Sequence, residues 1–219
     1  MSDMGHGPLF GMPGQLPRGP HGLSREAVAA SQRARLLAAL VAVVAETGYQ
    51  HASINAIGRR AGVSPRTFYE HFDGKLACLL AAYDTFSAAL TTRIVEQLSG
   101  SEASMEDVVR RALRAYLLVL QENPAAARAF LFEMHGAGKI ARARRREASI
   151  QLASAMRVFF EGRHRGERLD VLPDSAYLAI VYGVREVICD RIDGEYSRPL
   201  VDLTDELAYF VLSAARGAS

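Results

Sequence analysis

The residues with the most chemistry to offer stand between Ser53 and Lys75, in the stretch SINAIGRRAGVSPRTFYEHFDGK. Ser64 followed by Pro65 is the pattern of a helix N-cap and a first helical position, where a missing amide hydrogen costs nothing. Val63 and Phe68 are spaced to close a hydrophobic staple around that start. Phe68 and Phe72 recur one turn apart on the core side, which leaves Arg66, Thr67, Tyr69 and Glu70 outside on a helix barely two turns long. The free amides and positive dipole end of such a helix favour a phosphate, and short side chains let it approach base edges closely. The same spacing also fits a plain helical hairpin whose polar residues only face water.

The neighbouring elements must position that helix. Ser53 caps a short helix with buried positions Ile54, Ile57 and Ala61, and Gly62 breaks it. Two short helices joined by a glycine turn describe a helix-turn-helix, with the second helix destined for the major groove. Ahead of them, a long helix opens at Ser24, stapled by Leu23 and Val28, carries the stripe Leu36, Leu37, Leu40, Val41 and Val44, and ends at Gly48. Behind them, Asp73 is the expected N-cap of a helix with Lys75 in its first turn and Leu76, Leu79, Leu80, Tyr83 and Phe86 on its apolar side.

Over 219 residues, 49% hydrophobic and 23% charged residues exclude disorder throughout, a disulfide scaffold and a fibrous protein. No run reaches the roughly 20 consecutive apolar residues that span a bilayer, so no membrane segment is expected. Without a secretory start, and with Cys78 and Cys189 forming no framework, the expected setting is cytoplasmic and reduced. The net charge is +2, and residues 24–75 hold seven Lys/Arg against four Asp/Glu, an excess that suits a small phosphate-facing module. Residues 1–23 contain six of the 18 glycines and four of the eight prolines, the composition of a flexible tail. Met105–Leu120, Pro124–His135, Ile140–Glu161, Asp174–Arg191 and Leu200–Ala215 read as five further helices. The expected fold is all-α with about nine helices, divided into a tail (1–23), a helix-turn-helix domain (24–75) and a helical ligand-binding and dimerisation domain (76–219).

From Arg35 to Asp84, the pattern of AGVS, an aromatic pair, HF and a lysine resembles the DNA-binding signature of the TetR family of bacterial transcriptional regulators. The resemblance implies that Ser53 caps the second helix against a phosphate and that Asn55 points toward the groove. It places Pro65, Arg66 and Thr67, behind the Ser64 cap, at base-reading positions, and Tyr69, His71 and Lys75 at backbone contacts. The chemistry agrees: Arg66 can donate to guanine O6 and N7, Thr67 can touch a thymine methyl, and Lys75 can neutralise a phosphate. Rival roles are packing of Tyr69 beside Phe68, a capping or core role for His71, and solvation for Arg59 and Arg60. Glu70 and Gly58 depart from the family pattern, Glu70 by placing a carboxylate near DNA.

The resemblance also implies a homodimer through the last two helices, reading a palindromic operator in double-stranded DNA. Leu203, Leu207, Phe210, Val211 and Ala214 form one stripe, and Ile180, Val181, Val184, Val187 and Ile188 make the preceding helix apolar on more than one side. The other helices would enclose a small-molecule effector, with Tyr116, Phe130, Met134, Met156, Phe159 and Tyr177 as candidate lining residues and Glu133, His135 or Arg185 as an orienting group. No phosphate loop, nucleophile elbow or helical metal-ligand pair stands in the sequence, so neither an enzyme nor a cofactor or metal site is expected. The expected function is a ligand-released repressor. The alternative is a helical ligand-binding or interaction protein whose helix-turn-helix does not bind DNA specifically.

Overall fold

A computed structural model of the chain describes residues 9–11, 24–98, 104–162, 172–194 and 198–215. Among these are nine α-helices and no strand: α1 (Arg25–Thr47), α2 (Ile54–Ala61), α3 (Pro65–His71), α4 (Lys75–Leu98), α5 (Met105–Glu122), α6 (Pro124–Arg128), α7 (Lys139–Gly162), α8 (Asp174–Asp193) and α9 (Thr204–Ala215). A π-helical turn, Ala129–Glu133, continues α6, and a 3-10 turn, Leu200–Leu203, leads into α9. The single helices expected at Pro124–His135 and Leu200–Ala215 are therefore each divided between two helix types.

The helices form two compact units. The first takes in residues up to Ala88 together with Glu122–Arg142, and the second Ala89–Gln121 with Ala143–Ser219. The first is larger than the 24–75 segment expected from sequence, because α6 and the π-turn pack on α1. Its core holds Leu36, Ala39, Leu40 and Val44 of α1, Ile57 of α2, Phe68 of α3, Cys78 and Leu79 of α4, and Phe130 and Met134. By length and composition α1 is long and apolar enough to cross a bilayer, a property that counting consecutive apolar residues does not reveal. Here that apolarity serves burial: its segment Arg35–Leu40 and the following valines are packed inside the first unit. The expected flexible tail lies outside the described residues except at Leu9–Gly11, which dock on this unit.

Local capping follows the sequence closely. The Oγ atoms of Ser24, Ser53 and Ser64 each accept an amide N–H three residues on, from Ala27, Ala56 and Thr67, all at 3.1 Å. Gly62 takes the left-handed conformation (φ 66, ψ 37). Its N–H reaches Arg59 O at 3.2 Å while the Val63 N–H reaches Gly58 O at 3.0 Å, so α2 ends in a Schellman turn that aims the chain into α3. A Cβ on Gly58 would lie 3.1 Å from Val63 O, so glycine eases the crossing at that turn. One cap is corrected: Gly74, not Asp73, precedes α4, and its carbonyl accepts the Cys78 N–H at 3.2 Å.

In the second unit, α8 and α9 pack together, with Gly183 so close to Phe210 that a Cβ there would meet the ring at 3.3 Å. The buried stripe of α9 with its leading turn is Leu203, Leu207, Ala208, Val211, Leu212 and Ala215. Phe210, expected in that stripe, is 43% exposed, and the adjacent Tyr209 is 76% exposed. Burial pushes the Cys78 thiol up to about 12 against the lowering field of Arg33, and it raises Cys189 as well. Neither is a thiolate near neutral pH.

Replacing Gly62 by alanine places a Cβ in left-handed backbone. The expected loss is about 1–2 kcal/mol of unfolding free energy, measured by urea denaturation.

Candidate nucleic-acid interface

The exposed side of α3 is built from its buried side. Phe68 has no exposed surface, and its ring stacks at 5.8 Å from Phe72 and edge-on at 5.7 Å from Tyr69. That anchoring leaves Ser64, Pro65, Arg66, Tyr69 and Glu70 exposed and Thr67 half-buried. Arg66 is the most open of the charged groups here, its side chain 90% exposed, and its Nε donates to Glu70 Oε1 at 3.3 Å. An exposed pair of this spacing is worth only about 0.3–0.5 kcal/mol, so the guanidinium can exchange it for a better acceptor. Glu70 thereby holds Arg66 instead of standing free toward an approaching phosphate.

On α2, Ser53 and Asn55 are exposed beside the free N-terminal amides. Arg60 pairs with Glu46 at 2.7 Å, whereas Arg59 is exposed without a described partner, so the two adjacent arginines are not equivalent. Tyr69 is 58% exposed, with its ring in T-shaped contact with Phe68.

Two residues expected at backbone contacts are engaged inside the protein. His71 Nε2 lies 3.2 Å from Gln32 Oε1 of α1, donating in its Nε2–H tautomer. Lys75 Nζ donates to Tyr49 O at 2.6 Å and to Ala52 O at 2.7 Å, and it sits 4.2 Å from the centre of the Tyr49 ring. Burial lowers its pKa from the usual lysine value. The ammonium thus closes the turn between α1 and α2, a role that residue type and spacing do not reveal.

The candidate effector residues divide between the units. Phe130 and Met134 are core of the first unit, and Glu133, half-buried there, accepts the Tyr49 N–H at 2.8 Å. The carboxylate expected to orient a ligand is a cap on the α1–α2 turn. In the second unit, Tyr177 lines a cleft of about 160 Å³ with Ile150, Ala153, Ser154, Asp174, Ser175 and Leu178. Tyr116, Met156 and Phe159 are half-buried and do not line this cleft. Arg185 is inside the second unit with its side chain 17% exposed; its Nη2 reaches Glu186 at 3.2 Å, while Nε and Nη1 are buried without hydrogen-bond partners. Among the described residues, no group of three or more His, Cys, Asp or Glu is placed to hold a metal.

A short helix delivered by a glycine turn, buried on its phenylalanine side and polar on its open side, is the geometry of a helix-turn-helix in an all-α chain. Residues 36–82 match the model of the bacterial regulatory proteins of the tetR family. In fold, the chain is similar to the fatty acid degradation regulator FadR of Bacillus halodurans, at TM-score 0.76 and 20% identity, over 85% of this chain and 97% of that one. It is also similar to FadR of Bacillus subtilis in complex with stearoyl-CoA, at TM-score 0.70 and 19% identity, covering 82% and 97% of the two chains. A TetR-family regulator from Syntrophomonas wolfei aligns at TM-score 0.74 and 15% identity, over 87% and 97%. No curated protein matches the sequence significantly.

Changing Lys75 to alanine removes two charge-assisted hydrogen bonds to carbonyls. The expected cost is about 1.5–3 kcal/mol in denaturant unfolding.

Proposed function

We propose that this chain is a transcriptional repressor that binds a palindromic operator as a homodimer and is released by a small molecule. The observation that carries the reading is the open side of α3, where Arg66 and Tyr69 project from a helix whose other side is fully buried. Arg66 reads guanine, Thr67 contacts the adjoining base, and Tyr69 with Ser53 and Asn55 fixes the register on the phosphates. His71 and Lys75 support the domain from within, and Arg59 is the better phosphate candidate on α2.

The dimer reading is supported by Val187, Tyr209 and Phe210, apolar residues left exposed on α8 and α9. A second copy on this face places two recognition helices one DNA turn, roughly 34–36 Å, apart. The likeness to a regulator complexed with stearoyl-CoA supports an effector with a long apolar chain and an anionic head. Arg185, with buried and unpaired N–H groups, is the residue suited to such a head, because a carboxylate or phosphate would satisfy them.

Selection of random duplex DNA by the purified chain tests the reading: a palindromic winner is expected. On it, Arg66→Ala should cost about 1–3 kcal/mol and relax preference at one base pair of each half-site, measured by titration against single-base variants. Weak binding indifferent to sequence and to Arg66→Ala would overturn the reading. Tyr209→Arg should convert the dimer to monomer in analytical ultracentrifugation and lower operator affinity about tenfold or more, since a charge on each copy meets its symmetry mate.

A further inference from the structure

The α1–α2 turn is held from two sides. Lys75 takes the carbonyls of Tyr49 and Ala52, while Glu133 takes the Tyr49 N–H at 2.8 Å and lies within 3.4 Å of the Cβ position of Gly48, a residue at φ 78. Glu133 is the last residue of the π-turn, a helix form that is rare and marks functional sites. Three residues before it on the same turn, Phe130 forms the centre of an aromatic cluster, at 5.2 Å from Phe86, 5.6 Å from Tyr83 and 6.0 Å from Phe10. Phe10 comes from a segment whose composition reads as loose tail. It is fastened by its neighbour, as the Leu9 N–H donates to the buried Oδ1 of Asn123 at 2.6 Å. Asn123 stands at the N-cap of α6 but makes no side-chain capping bond to that helix.

We infer that Leu9–Gly11 is a built-in latch: its docking on Asn123 and Phe130 holds the π-turn in the register that lets Glu133 grip the α1–α2 turn, and so sets how firmly the helix-turn-helix is ordered. The path is short. Phe130 and Glu133 lie on one hydrogen-bonded π-turn, so repacking around the Phe130 ring moves the carboxylate, and a directional bond to an amide weakens steeply with misalignment. Only the consequence for operator affinity rests on the DNA-binding reading; the ordering of the turn does not.

The test uses the full chain and follows amide hydrogen exchange at Tyr49, with the Gly62 amide, bonded to Arg59 O, as internal reference. Phe10→Ala should speed Tyr49 exchange about fivefold relative to Gly62, the order of one lost aromatic contact, and Phe10→Tyr should keep it near the parent rate. Glu133→Gln, which weakens the acceptor, should speed it likewise with Phe10 in place. Unchanged Tyr49 exchange in Phe10→Ala, or a rise shared equally by Gly62, would overturn the latch. If Tyr49 responds and no duplex DNA binds with sequence preference, the latch stands and the DNA-binding reading fails.

Discussion

A helix of seven residues does not hold itself together in water, where helices shorter than roughly 12–15 residues are marginal, so the recognition surface of this chain depends on the burial of Phe68. With its ring fully enclosed and Phe72 beside it, α3 is fixed in rotation. The outward placement of Arg66 and Tyr69 is the other side of that same fact. The serine caps and the Schellman turn decide where the helix starts, and the phenylalanines decide which way it faces.

The same logic extends to what surrounds α3. Polar side chains that would be free to meet DNA on an isolated module are partly engaged in holding the module together. His71 reaches α1 through Gln32, and Lys75 and Glu133 clamp the backbone between α1 and α2. The turn bonds within itself through the Gly48 and Ala52 N–H groups, and the Lys75 ammonium on the Tyr49 and Ala52 carbonyls with the Glu133 carboxylate on the Tyr49 N–H satisfies groups those bonds leave over. The unit carrying the helix-turn-helix therefore includes residues far along the chain from Lys75.

Much of the local structure was legible in residue order. Ser24, Ser53 and Ser64 were readable as caps, Gly48 and Gly62 as stops, and Pro65 and Pro124 as helix starts, because each acts on amides or dihedrals within a few residues. The family signature was legible for the same reason, being confined to one short span. Three things were not. The π-turn was hidden because Ala129–Glu133 has the composition of any helix. The internal roles of Glu133 and Lys75 were hidden because their partners are backbone groups, which carry no residue identity. The docking of Phe10 was hidden because a lone aromatic in a Gly/Pro-rich segment gives no periodic signal.

By itself, then, the sequence determined the helices, their caps, the glycine turn and the buried side of α3, since these follow from contacts within a turn or two. Which polar groups find internal partners is a matter of the fold: Arg66, Tyr69 and Arg59 stay open, while His71, Lys75 and Glu133, each half-buried, bond to α1 or to the α1–α2 turn. The physical reason is that a side chain's availability depends on what lies within about 3 Å of it, and for these groups that neighbour is tens of residues away in sequence.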